Sequence, residues 1–278
     1  MGLRINTNVP SIAAQRTAGL VMEQQSSSLS KLSSGQRINR ASDDAAGLAI
    51  SEKLKASIKS TNQANRNAND AISMIQTAEG SLSEIGNILI RLRELSIQSS
   101  SDTVGDSERQ FSELEFQNLK QEIERIAQST EFNGKKMLNG AQDKYEFQIG
   151  INNVPFEDRI IFEANKSNAT LSNLGLTELS VGNKESSREG LMKLDTAMSW
   201  ISGQRSNLGA IQNSLTSTSN NLAVNMENMS VANSRIRDTD FASETANNVR
   251  LNILTQAGTS VLAQANNQGA AVLKLLNT

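Results

Sequence analysis

From Ile50 to Leu92, small and apolar residues recur at alternating steps of four and three. They are Ile50, Leu54, Ser57, Thr61, Ala64, Ala68, Ala71, Ile75, Ala78, Leu82, Ile85, Leu89 and Leu92. The alternation holds over about six heptads, and no proline interrupts it. Such a seam belongs to a long helix packed along another helix, not to one side of a globular core. Extended to Asp43 and Ser101, the helix would be roughly 85–90 Å long at 1.5 Å per residue. It requires a partner of similar length.

Composition agrees with close-packed helices. Aromatic residues make up 3% of the 278, with one Trp, one Tyr and two Pro. Few aromatics and many small or straight-chain residues suit helix on helix better than thick sheets. The net charge of −2 gives no electrostatic footprint for nucleic acid. The mean hydropathy is −0.39, and no apolar run is long enough to predict a membrane span. The opening MGLRINTNVPSIAAQ lacks a signal peptide's apolar core. With no Cys there are no disulfides or thiolates, and with no His the commonest general base and metal ligand are missing. These absences point away from catalysis, and no cofactor or metal is expected.

Taken in order, residues 1–40 carry Leu3, Ile5, Val9, Ile12 and Leu20 at mostly helical spacing, then turn polar through residues 23–28. Alone, this would be a marginal helix. It reads equally as a frayed terminus or as a segment that orders when something covers its apolar residues. Gly35–Arg40 breaks the pattern. Ser42 is the predicted N-cap of the long helix, with Asp43 and Asp44 set against its dipole. After a polar turn, Ser107–Ser129 predicts a second helix, with Phe116, Leu119, Ile123 and Ile126 on one face. Asn133-Gly134 and Asn139-Gly140 signal turns. The period then changes to two: Tyr145, Phe147 and Ile149 alternate with polar residues, and Arg159–Glu163 forms a second β-rich run, predicting a small hairpin. Asn165–Gly182 is less regular.

From Ser186 helical spacing returns through Leu191, Leu194, Met198, Ile201, Arg205, Leu208, Ile211, Leu215, Thr218, Leu222, Met226, Met229, Asn233 and Ile236. This is the expected antiparallel partner. The last segment has Leu251, Leu254, Gly258, Val261, Ala265, Gly269, Val272 and Leu276 in 3/4 steps, with Leu262, Leu273 and Leu275 widening the face. The expected fold is mainly α: a long antiparallel coiled-coil rod of discontinuous helices with a small β-hairpin region. Its seam includes Ile75, Leu82, Ile85, Leu89, Leu92, Leu208, Ile211, Leu215 and Leu222.

No catalytic constellation or phosphate-binding loop emerges, and Asp43-Asp44 reads as a cap. The informative feature is apolar surface at both ends of the chain. Contiguous exposed apolar surface marks self-association or membrane contact. Self-association is favoured because these faces carry little Lys or Arg and almost no aromatic anchor. Contacts of this kind that do not close produce a filament.

Several stretches resemble bacterial flagellin. They are Arg37-Ile38-Asn39-Arg40-Ala41-Ser42-Asp43-Asp44-Ala45-Ala46-Gly47, Arg93-Glu94-Leu95, Glu131-Phe132-Asn133-Gly134-Lys135, Gln204-Arg205-Ser206-Asn207-Leu208-Gly209-Ala210, Ser234-Arg235-Ile236-Arg237-Asp238-Thr239-Asp240-Phe241-Ala242 and Val261-Leu262-Ala263-Gln264-Ala265-Asn266. The resemblance covers about residues 1–140 and 185–278, and the short middle is similar to flagellins that lack the large variable outer domains.

The resemblance implies a structural subunit, not an enzyme, that polymerises into the extracellular flagellar filament used for swimming. Residues 1–40 and 238–278 would be inner-tube helices, paired in the filament. Residues 41–140 and 186–237 would supply the rod helices, and residues 141–185 its hairpin and loop region. Polymerisation would rest on Leu3, Ile5, Val9, Ile12, Leu251, Leu254, Val261, Leu262, Ala265, Val272, Leu273 and Leu276. The subunit would leave by flagellar type III export, with a chaperone on its C-terminal segment, and would meet cap and hook-junction proteins. Arg91, Arg93, Glu94, Leu95 and Gln98, with Glu115 opposite, correspond to the contact for an innate flagellin receptor or a neighbouring subunit. Ile90 stands where those flagellins usually carry Gln, and Phe116 stands beside Glu115. No nucleic acid or membrane insertion is implied. The alternatives are a hook–filament junction protein and a secreted membrane-active helical translocator.

Overall fold

The computed structural model describes the backbone of residues 7–276 and the side chains of residues 7–267. Its helices are α1 (Val9–Ser34), α2 (Ala45–Ser99), α3 (Asp106–Ser129), α4 (Pro155–Asp158), α5 (Leu171–Leu174), α6 (Lys184–Arg237) and α7 (Phe241–Leu276). The strands are β1 (Glu131–Phe132), β2 (Lys135–Lys136), β3 (Tyr145–Gln148) and β4 (Arg159–Phe162), with a 3-10 turn at Ala164–Ser167. The chain forms two compact units. One comprises residues 57–227. The other combines the residues up to Ala56 with those from Asn228 onward, so α2 and α6 each contribute turns to both.

In the larger unit α2 and α6 run antiparallel. Asn65 Nδ2 donates to the Ser219 carbonyl at 3.1 Å, Arg205 meets Glu79 at 3.4 Å, and Arg93 meets Asp195 at 2.7 Å. Between these links the seam is apolar. Ile75, Leu82, Ile85, Leu89 and Leu92 are fully buried, facing Leu194, Ala197, Ile201, Leu208 and Leu215 of α6. Burying each Ile or Leu contributes roughly 1.5–3 kcal/mol, whereas Ala64, Ala68 and Ala71 add little burial but allow close approach. Ile211 is partly buried against this core, and Leu222 is half-buried. The predicted seam differs from the structure at two places. Ile50 is exposed, because the buried face at the start of α2 runs through Gly47 and Ser51, and Arg205 points outward to its ion pair.

α3 folds back beside α2 with Phe116, Ile123 and Ala127 in the core. Phe111 and Leu114, on its other face, are exposed. α3 also holds the irregular stretch that follows the hairpin. The buried Lys120 Nζ donates to the carbonyls of Thr177 (2.9 Å) and Leu179 (2.8 Å), and Glu124 accepts from the Leu171 amide at 2.9 Å. Burial lowers the Lys120 pKa. This stretch places Ala164, Ala169, Leu174, Leu176, Leu179 and Val181 in the core, so it is structural despite its lack of periodicity.

The predicted hairpin is present, with Tyr145 paired to Phe162 and Gln148 to Arg159. A second, two-residue hairpin precedes it, Glu131 opposite Lys136, turning on Asn133 (φ 49°) and Gly134 (φ 75°). Two successive positive φ values are what a tight hairpin turn needs, and Asn-Gly supplies them at low cost. Buried Asp158 organises the loop of the larger hairpin: its carboxylate accepts from the amides of Asn152 (3.2 Å) and Val154 (2.9 Å). The loop presents Phe156, 95% exposed, on a fixed backbone.

In the smaller unit α1 and α7 lie antiparallel. α1 begins after Asn8, whose side chain accepts from the Ser11 amide, and ends at Gly35 (φ 70°). The cap of α2 is Asp44, not Ser42. Asp44 Oδ1 accepts from the Gly47 amide at 2.8 Å, while Asp43 turns back to accept from the amides of Asn39 (3.0 Å) and Arg40 (2.9 Å). These backbone donors hold the Asp43 carboxyl below the ordinary range. A β-carbon on Gly47 would lie 2.3 Å from Asp44 Oδ2 and 2.8 Å from Ile38 Cδ1, so a larger residue there would displace the cap or the buried Ile38.

Candidate assembly surfaces

The α1–α7 pair is built on two heptad seams. On α1 the half-buried or buried positions along the seam are Ser11, Ala14, Ala18, Val21, Gln25, Ser28 and Leu32, with Lys31 half-buried beside them. On α7 they are Glu244, Asn248, Leu251, Thr255, Gly258, Leu262 and Ala265. Most are small or polar, Val21, Leu32, Leu251 and Leu262 excepted, and several bond across the pair. Asn8 Nδ2 donates to the Ala265 carbonyl (2.9 Å), Ser11 to Asn266 Oδ1 (2.7 Å), and Thr255 Oγ1 to Gln25 Oε1 (3.1 Å). Gln25 Nε2 donates to Asn252 Oδ1. Ser28 Oγ and Asn248 Nδ2 are buried without partners, which weakens this seam further.

The larger apolar residues face away from the seam. Val9, Ile12, Leu20, Met22 and Leu29 of α1 and Val249, Ile253, Leu254 and Val261 of α7 are exposed. Among the residues assigned to polymerisation by sequence, Val9, Ile12, Leu254 and Val261 therefore lie outward, whereas Leu251 and Ala265 are buried and Leu262 is half-buried in the seam. Leu3 and Ile5 lie outside the described residues, as do the side chains of Val272, Leu273 and Leu276. Apolar spacing puts Leu254 and Val261 on one face with Leu251, Gly258 and Ala265. The structure instead uses the neighbouring heptad, 251-255-258-262-265. The two heptads share Leu251, Gly258 and Ala265, and apolar spacing chose Leu254 and Val261 over Thr255 and Leu262.

The segments joining the helices form a second cluster in the same unit. Gln36 and Asp238 make a single antiparallel bridge. The Arg37 amide donates to the Arg237 carbonyl (2.6 Å), and the Thr239 amide to the Gly35 carbonyl (3.0 Å). Arg237 also pairs with Glu52 and donates through Nε to Gln36 Oε1 at 3.1 Å. Arg37 Nη2 donates to the Ile236 carbonyl at 2.7 Å. Ile38 is buried beneath them. The motif residues 37–47 and 234–242 thus meet at one place, which their distance in sequence does not suggest.

The third surface lies in the larger unit. Arg91 pairs with Glu94 (3.0 Å) on its own helix and with Glu115 (2.8 Å) on α3. These carboxylates, Glu94 first, raise the Arg91 pKa. Arg91, Glu94, Gln98 and Glu115 are exposed, with Ile90, Ile97, Phe111 and Leu114 exposed on the same two helices. Leu95 corrects the sequence expectation: it points inward and is buried, so it positions the helix and offers no contact. Arg93 turns to Asp195 on α6.

Among the described residues no group of three or more acidic, His or Cys side chains could hold a metal, and no helix is long and apolar enough to cross a membrane.

Comparison with known proteins gives a consistent result. The bacterial flagellin N-terminal helical region matches residues 5–143, and the bacterial flagellin C-terminal helical region matches residues 191–276. The chain is 43% identical to a flagellin of Halalkalibacterium halodurans over 272 residues, covering 98% of this chain and 99% of the relative. It is 42% identical to a flagellin of Bacillus subtilis, covering 99% and 100%. The crystal structure of Bacillus cereus flagellin superposes with a TM-score of 0.51 at 28% identity, over 56% of this chain and 88% of that one.

Proposed function

On the premise that this chain belongs to the bacterial flagellin family and is a structural subunit of the extracellular flagellar filament, we propose how its surfaces divide the work of assembly. The subunit is secreted through flagellar type III export and polymerises with copies of itself. The outward row of the terminal pair, Val9, Ile12, Leu254 and Val261, is covered by neighbouring copies in the filament. Leu3, Ile5, Val272, Leu273 and Leu276 also serve polymerisation. Leu251, Leu262 and Ala265 hold the two terminal helices to each other.

One observation carries this reading. The terminal pair turns mostly small and polar residues inward and most of its larger apolar residues outward. A pair with that arrangement gains most of its burial from other copies, so it is weak alone and firm in a polymer. Residues 1–40 and 238–278 then act as the inner-tube segments. Residues 41–237, with the hairpin region at 141–185, form the body that orders them.

The remaining partners follow the same logic. An export chaperone covers the apolar C-terminal segment before assembly, and cap and hook-junction proteins engage the same ends. The Arg91–Glu94–Glu115 cluster with Gln98 is a contact surface for a neighbouring subunit, and the place where an innate flagellin receptor binds. The subunit has no catalytic role and needs no cofactor. The alternatives, a hook–filament junction protein or a membrane-active translocator, are less well supported, because the full-length relatives are themselves flagellins.

The test is electron microscopy of the purified chain with and without residues 241–278. Filaments from the full chain and none from the truncated, folded protein are expected; filaments from both would overturn the assignment.

A further inference from the structure

We propose that Gln25 sets the rotation and register of the terminal helix pair, and so determines which apolar residues the pair presents to other copies. The second half of this statement rests on the outward-row reading above; the first does not.

The problem Gln25 solves is visible on α7. Two overlapping heptads run along the helix. One is 251-255-258-262-265, which faces α1. The other is 251-254-258-261-265, which replaces Thr255 and Leu262 by Leu254 and Val261. The second is at least as apolar, so hydrophobic burial alone gives no reason to prefer the first. The α1 side does not decide either. Ala14 and Ala18 are small, and small residues tolerate a rotated or shifted partner.

Gln25 discriminates because both ends of its carboxamide are used. Its Nε2 donates to Asn252, and its Oε1 lies 3.1 Å from Thr255 Oγ1, which shares its one proton between Gln25 and the Leu251 carbonyl at 2.9 Å. These partners are three residues apart on α7, so only one rotation and one register bring both within reach. Turning α7 to bury Leu254 moves Thr255 away and leaves a half-buried amide oxygen without its donor. A polar contact across a helix seam acts in this way: it fixes the pairing. At the far end of the pair, Asn8 on the Ala265 carbonyl and Ser11 on Asn266 satisfy the same register.

Disulfide trapping tests this directly, since the native chain has no cysteine. A β-carbon at Gly258 lies 3.9 Å from that of Ala18, within disulfide range. The full-length A18C/G258C chain therefore reports pairing. A14C/L262C reports the observed rotation, and A14C/V261C the competing one. Each is copolymerised with excess native chain, so filaments form whether or not the variant nucleates them.

With Gln25 present, the A14C/L262C bond should form at least about tenfold faster than A14C/V261C. In the Gln25→Leu/Thr255→Val background that ratio should fall to about one or invert, or the variant should be excluded from filaments while Gln24→Leu, which adds the same bulk outside the seam, still enters. An unchanged ratio overturns the proposal. So does exclusion of Gln24→Leu as well, or failure of A18C/G258C to link in native filaments. Normal assembly of Leu254→Asp would sink the outward-row reading alone, and the cross-linking ratio would still decide the role of Gln25.

Discussion

Leu251 and Leu254 stand one helical turn apart on α7, yet Leu251 is 3% exposed against α1 and Leu254 is 46% exposed. The two leucines should therefore fail differently. Leu251→Ala removes burial within the pair, where a buried Leu→Ala change costs about 2–5 kcal/mol. It should raise amide exchange along α1 and α7. Leu254→Asp leaves the pair intact but places a charge where other copies must pack, at a cost of several kcal/mol per subunit. Circular dichroism should show near-native helicity for this variant, and electron microscopy no filaments.

Removing residues 241–278 deletes α7 and leaves the core of the larger unit untouched, because none of its buried residues lies beyond Leu215. The truncated chain should melt cooperatively, with a transition close to that of the full chain. A noncooperative melt would mean that α7 supports that core.

Within the larger core, Ile85→Ala should cost about 2–5 kcal/mol, since Ile85 is fully buried between α2 and its partners. Lys120→Met should also destabilise, although it removes a buried charge. Its ammonium donates to the Thr177 and Leu179 carbonyls; Leu179 keeps its bond from Gln117 Nε2, so the Thr177 carbonyl is the acceptor left orphaned, at about 1–3 kcal/mol. Chemical denaturation checks both. A Lys120→Met chain more stable than the parent would show that desolvation of the ammonium outweighs its two bonds.

Arg237→Lys keeps the charge facing Glu52 but cannot also reach Gln36 as the planar guanidinium does. Amide exchange at Arg37 and Thr239 should accelerate in Arg237→Ala and, to a smaller extent, in Arg237→Lys. Equal protection in all three would leave the backbone bridge as the sole tie.

Acid should loosen the chain at defined places. Asp43, Asp102, Glu122 and Glu146 all have lowered pKa values, from backbone amides for Asp43 and from Lys184, Arg125 and Lys144 for the others. A carboxyl whose folded pKa is depressed contributes stability above its unfolded pKa and loses it as pH falls through the folded value. Thermal stability should therefore fall as pH drops below the ordinary carboxylate range. Asp43→Asn should flatten the part of that slope that exchange detects at residues 39–40.

The long helices were legible from spacing because their burial is periodic. Ile75 to Leu92 and, Arg205 apart, Leu194 to Leu215 lie where the heptads put them. The 164–181 stretch was not, because its buried residues follow a path fixed by Lys120, Glu124 and Glu113 on another helix. The terminal pair was half legible. Apolar periodicity located α7 but favoured Leu254 over Thr255, since a hydrophobic count gives no weight to an amide that bonds across the seam. The cluster at Arg237 was present as motif residues whose meeting only the fold reveals.

The Gln36–Asp238 bridge has a mechanical consequence. A filament that propels a cell is loaded along its length, and a connector made of one flexible strand would yield first. Here the two connectors are cross-tied by the Arg37 and Thr239 amides, so tension entering either strand is shared with the other. Hydrogen bonds loaded side by side must break together, whereas bonds loaded one after another unzip singly. The two connectors thus meet load as one cross-tied ribbon, not as two separate strands.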